Sequence, residues 1–85
     1  MTIVPVVTVT EIKGGMAARA TEIGLAGHGR DRERAMASLR SMVRTWARCL
    51  SDEGELERTL ARLGVVARPD GDGLNVDLDA QLVTS

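Results

Sequence analysis

A small α+β fold is what this 85-residue chain predicts: a small antiparallel sheet of βββα type, with a long amphipathic helix and a second short helix on one face. Three features carry that expectation. β-Branched residues fill the first dozen positions, a glycine turn at Lys13-Gly14-Gly15 sends the chain back on itself, and a 3.6-residue apolar periodicity begins near Ala35.

Taken in order, Ile3 to Ile12 is dense in Val, Thr and Ile, which suit a pleated surface. Pro5 lacks an amide hydrogen and belongs at a strand start or on an edge. Met16 to Ile23 then alternates, with Met16, Ala18 and Ala20 on one side and Ala17, Arg19 and Thr21 on the other. Side chains that small leave room for a helix to lie across them. Gly24 to Gly29 reads as a bend leading into a short strand. Asp31 is placed to cap a helix, and Glu33 favours the positive end of its dipole.

From Ala35 the apolar stripe runs through Met36, Leu39, Met42, Val43, Trp46, Cys49 and Leu50. Of these, Met36, Leu39, Val43, Trp46 and Leu50 are expected against the sheet, with Val7, Val9, Met16, Ala18 and Leu25 as their contacts. Cys49, the only cysteine, is expected to act as a small hydrophobe, and alone it can form neither an internal disulfide nor a CxxC pair. Ser51-Asp52-Glu53-Gly54 breaks the helix, and a second helix carries Leu56, Leu60 and Leu63 before Gly64 ends it. Val65–Arg68 and Leu74–Leu78, joined by the turn formers Pro69 to Gly73, read as a closing hairpin, after which the last residues fray.

Composition narrows the function. A domain of this size buries only about 60–65% of its unfolded surface. Trp46 is the one aromatic residue, so a lone subunit has little to stabilise it and self-association is favoured. Net charge is −1, yet residues 1–48 carry eight basic and four acidic side chains, and residues 49–85 carry three and eight. That makes the molecule dipolar, either through ordinary solvation or to dock an oppositely charged partner. Neither a signal peptide nor a membrane-length apolar run is visible, which places the chain in the cytoplasm as one domain over 1–85 with its core at about 3–78.

Motif by motif, chemistry finds little support. Gly24, Gly27 and Gly29 match neither a P-loop nor a dinucleotide fingerprint. His28 has no strong orienting partner nearby in sequence and suits partner recognition better than catalysis. Asp70 and Asp72 echo a calcium loop without its closing glutamate. Arg40, Arg44 and Arg48 recur every four residues and could follow a phosphate backbone, although no aromatic platform accompanies them. No catalytic, cofactor or metal site is therefore expected.

The runs Glu11-Ile12-Lys13-Gly14-Gly15-Met16-Ala17-Ala18-Arg19-Ala20, Ile23-Gly24-Leu25-Ala26-Gly27-His28-Gly29 and Asp31-Arg32-Glu33-Arg34-Ala35-Met36-Ala37-Ser38-Leu39 resemble the HicB-like antitoxin family. Gly29 matches the family's lone glycine, Asp31 its helix cap and Ala35 its first-turn alanine. Glu55-Leu56-Glu57, Leu60 and Leu63-Gly64 are similar to the second helix of short members. The chain departs from the pattern at Gly24, where the family has Pro-Gly, and at Arg34, where it has glutamate. The stretch after Gly64 is too short for the family's usual DNA-binding domain.

The resemblance implies a partly ribonuclease-H-like βββα domain without that fold's catalytic carboxylates. Such a domain would neutralise a small basic HicA-like RNA-cleaving toxin and assemble as a dimer or tetramer. His28, Arg30, Glu53, Glu55 and Glu57 are then the expected partner contacts. The alternatives are a stand-alone oligomeric scaffold, a phage-type inhibitor with the same fold, or a nucleic-acid-binding module using Arg40, Arg44 and Arg48.

Overall fold

The computed structural model describes residues 1–84. Its elements run β1 (Thr2–Val4), β2 (Val7–Ile12), β3 (Gly15–Ala20), β4 (Leu25–Gly29), α1 (Arg32–Asp52), α2 (Leu56–Leu63), β5 (Val66–Arg68), β6 (Asn75–Val76) and β7 (Leu82–Thr84). One sheet has the order β4-β3-β2-β7 and a smaller one the order β5-β1-β6. The class is α+β, as expected. The sheets are mixed, however, because β7 runs parallel to β2 and β6 parallel to β1.

The β2–β3 turn uses Gly14 at φ +85°, and Ile12 pairs with Gly15 across it. Gly24 to Gly29 proves to be mostly strand: β4 pairs residue for residue with β3, Ala18 facing Gly27 and Met16 facing Gly29. Neither Gly27 nor Gly29 has a positive φ. Their value is the missing side chain. A Cβ on Gly27 would lie 2.7 Å from the Ala35 carbonyl oxygen and against the Leu39 amide, and one on Gly29 would lie 2.6 Å from the Ala35 nitrogen. Helix backbone therefore rests almost directly on strand backbone.

Around that contact Val7, Val9, Ala18 and Ala20 from the sheet meet Ala35, Met36, Leu39, Val43 and Ala47 from α1, all buried. Trp46 and Leu50, expected in the same layer, are only half-buried against it, and Met42 and Cys49 are exposed. Met42 and Cys49 lie on the flank of α1, outside the arc that the sheet covers, and for Trp46 and Leu50 the reason is length. A helix of 21 residues reaches about 30 Å, whereas the five residues of β4 extend about 17 Å. The last turns of α1 pass beyond the sheet, where α2 and β6 meet them. Gly54 at φ +71° and Gly64 at φ +75° then close the two helices.

Pro5 is fully buried at the junction between β1 and β2. Two side chains hold this break. Val6 N–H donates to Glu22 Oε1 at 2.6 Å, and Gln81 Nε2 donates to the Val4 carbonyl at 2.8 Å. The expected C-terminal hairpin does not form. β5 and β6 lie on opposite sides of β1, one antiparallel and one parallel, so the first strand occupies the place where a hairpin would have closed. The final residues, expected to fray, form β7 along β2 instead, while Ser85 lies outside the described residues.

Replacing Gly27 with alanine is expected to destabilise the protein by about 2–3 kcal/mol, as overpacking against rigid backbone does. In a domain this small that lowers the melting temperature by roughly 10 °C or more. Ala26→Val, on the opposite face of the same strand, should change it little. Equal melting temperatures for the two variants would contradict the close contact.

Candidate partner-binding surfaces

Residues near the start of α1 are placed by the end of β4. Strand alternation turns His28 to the face of the sheet away from α1, beside Ala17 in register, and leaves it exposed. Thr8, Thr10, Arg19 and Ala26 share that uncovered face. Arg30 follows the strand, exposed and without an acidic partner among the described residues. Asp31 adopts extended backbone, and its Oδ1 accepts from the Arg34 amide at 2.8 Å while Oδ2 meets the Arg34 guanidinium at 2.6 Å. Arg34, out of place in a capping box, thus serves the cap from its own side chain.

The second expected cluster lies at the other end of α1. Glu53 is the helix's C-cap, Glu55 precedes α2, and Glu57 stands in its first turn. Glu55 pairs with Arg58 at 3.1 Å, whereas Glu53 and Glu57 have no basic partner among the described residues. Beside them opens a cleft lined by Met1, Leu56, Leu74, Ser51 and Glu57. Sequence reasoning missed this cleft, because Met1 and Leu74 come together only through the pairing of β1 with β6. The structure does not unite the two clusters: His28 and Arg30 stand about 30 Å, one helix length, from the glutamates.

Arg40, Arg44 and Arg48 rise along the solvent side of α1 at about 6 Å intervals, with Ala37, Ser41 and Thr45 between them. Arg34, Arg58 and Arg68 all have carboxylate partners, but none of these three does among the described residues. Asp70 before β6 and Asp77 after it are paired within the chain. Arg68 reaches Asp70 at 3.6 Å and Asp77 at 3.3 Å, and the Thr2 hydroxyl, then the Arg68 guanidinium, hold the Asp70 carboxyl below its usual range. Among the described residues no three His, Cys, Asp or Glu side chains converge on a point where a metal could sit. Nor, among the described residues, is any helix long and apolar enough to cross a membrane.

No protein-family model, curated protein or solved structure matches this chain.

The Asp31 carboxyl is lowered from its ordinary value of 3.8, first by the Arg34 amide that it accepts from and then by the Arg34 guanidinium. A depressed carboxyl contributes stability above its unfolded pKa and loses it as pH falls through the folded one. The melting-temperature gap between wild type and Asp31→Ala should therefore be full at pH 7 and shrink progressively below pH 3.8. A gap that stays constant down to the acid limit of folding would remove Asp31 from the cap.

Proposed function

We propose that this chain is a non-enzymatic protein-binding module, a HicB-like antitoxin that neutralises a small, basic, RNA-cleaving HicA-like toxin. One observation carries the reading. β2, β3 and β4 form consecutive neighbours in one sheet and pass directly into α1, which lies on the glycines of β4. That is the segment order on which the family resemblance rests. Supporting it, Glu53 and Glu57 stand unpaired among the described residues at the α1–α2 corner, beside a cleft with Leu56 and Leu74 in its wall. Unpaired carboxylates around apolar surface suit a cationic partner, since complementary charge speeds encounter and fixes register. His28 lies on an open sheet face with no carboxylate bonded to it among the described residues, which favours recognition over proton transfer.

The test is co-expression with the product of a small basic open reading frame adjacent to the gene. The triple substitution Glu53→Lys, Glu55→Lys, Glu57→Lys is expected to reduce co-purified toxin at least about tenfold, the scale on which losing buried charge pairs acts. Far-UV circular dichroism should remain unchanged. Undiminished co-purification would refute the acidic corner as the contact.

A second reading draws on the unpaired arginine ladder. Arg40, Arg44 and Arg48 would then neutralise about three phosphates and give a logarithmic salt slope of roughly −2 to −3. A mobility shift with that slope, abolished by reversing the three charges, is the expected result of this reading. No shift at low salt eliminates it.

A further inference from the structure

We propose that the open edge of β4, together with the flank of α1 above it, is a two-fold interface with a second copy of this chain. This inference is independent of the toxin-binding reading and rests on backbone geometry.

The two-residue turn at Lys13-Gly14 makes Ile12 and Gly15 a pair whose peptide groups face each other. Alternation along β3 then aims the peptide groups of Met16, Ala18 and Ala20 at β4, where their partners are Gly29, Gly27 and Leu25. The Gly29 carbonyl oxygen lies against Gly15, as that alternation requires. Ala26 and His28 must therefore direct their N–H and C=O groups outward, over the open edge.

Such an edge is usually blunted by proline, lysine or a bulge. β4 has none of these in its sequence Leu-Ala-Gly-His-Gly, and its pairing with β3 skips no residue. The edge is also self-complementary. A two-fold axis at Gly27 places Ala26 opposite the partner subunit's His28, and each pair exchanges both of its hydrogen bonds. The two Gly27 residues then face each other as a non-hydrogen-bonded pair, the closer of the two antiparallel spacings. No side chain stands in the way.

The flank above completes the surface. Ala35 and Leu39 touch Gly27, while Met36, Val43 and Ala47 are buried toward β3, so Arg34, Ser38, Met42 and Cys49 project on the side of the open edge. Met42 is 39% exposed. Between Arg34 at one end and Asp52 at the other this flank is uncharged, whereas the solvent side of the same helix carries Arg40, Arg44 and Arg48. Depletion of charge and enrichment in methionine mark the centres of interfaces. Because Gly27 lies beneath Ala35 and Leu39, the axis passes beside Ser38. Antiparallel α1 helices would then set Met42 on the aliphatic stem of the partner subunit's Arg34. An unrelated extended peptide could use the bare strand edge, but only a second copy brings a helix flank that sets Met42 against the partner's Arg34, and Arg34 against the partner's Met42, at the right height.

Sedimentation equilibrium on the full chain tests this. Wild type is expected to be a dimer. Ala26→Pro removes an N–H that no strand within the subunit uses and should leave the β3–β4 ladder whole. Met42→Lys introduces a charge into the flank without touching the strand. Each should weaken dimerisation by about tenfold or more with an unchanged circular dichroism spectrum, while Arg48→Glu remains dimeric. A wild-type monomer at the highest soluble concentration, or a dimer that survives both substitutions, overturns the proposal.

Discussion

Where α1 crosses β4, main chain touches main chain, and much of the remaining packing follows from how close that brings the two. With Gly27 and Gly29 beneath Ala35 and Leu39, the helix axis lies lower over β4 than ordinary side chains would allow. The space left above β3 and β2 suits Ala18, Ala20, Val7 and Val9 against Leu39 and Val43, all of them buried. A ring at those positions would lift the helix off the glycines. The near absence of aromatics and the glycine content of β4 are thus one design choice. The cap acts with it: Asp31 follows Gly29 by two residues, so the helix starts at a fixed point relative to the strand it rests on.

The same helix separates the surfaces. Its length sets Arg30, Arg32 and Arg34 at one end apart from Glu53, Glu55 and Glu57 at the other. The long dimension is 38 Å against 21 and 19 Å for the others. Open β4 edge, uncovered sheet face, arginine ladder and acidic corner occupy different parts of this body and can be altered one at a time.

Much of the fold was legible because local chemistry determined it. The spacing of Met36, Leu39 and Val43 announced α1, Asp31 its start, Gly54 and Gly64 the ends of the two helices, and Lys13-Gly14 the first turn. The errors have specific causes. Gly24 to Gly29 read as a bend leading into a short strand, and the strand begins earlier than that because Gly27 and Gly29 serve to admit a neighbouring backbone rather than to turn the chain, two uses that sequence does not distinguish. Trp46 and Leu50 matched the apolar period, but the period does not reveal where the sheet beneath it ends, and Met42 and Cys49 fell just outside the arc that the sheet covers. Val65–Arg68 and Leu74–Leu78 carried hairpin signals that were overridden by a distant strand, and runs of two or three residues hold too little pattern to specify a register. Of the candidate surfaces, the charge clusters were visible by composition. Their separation, and the cleft between Met1 and Leu74, depend on tertiary pairing alone.

The position of β1 bears on how the molecule is made. Its neighbours on both sides, β5 and β6, lie more than sixty residues further along the chain. A hairpin such as β2–β3 can close as soon as it leaves the ribosome, and α1 can coil locally. Thr2, Ile3 and Val4, all buried in the folded structure, have nothing to pair with until β5 and β6 have emerged. Loop closure over that distance raises the entropic barrier and slows the last step. Until those partners arrive, β1 is an apolar strand with two bare edges, the condition in which chains mispair and aggregate.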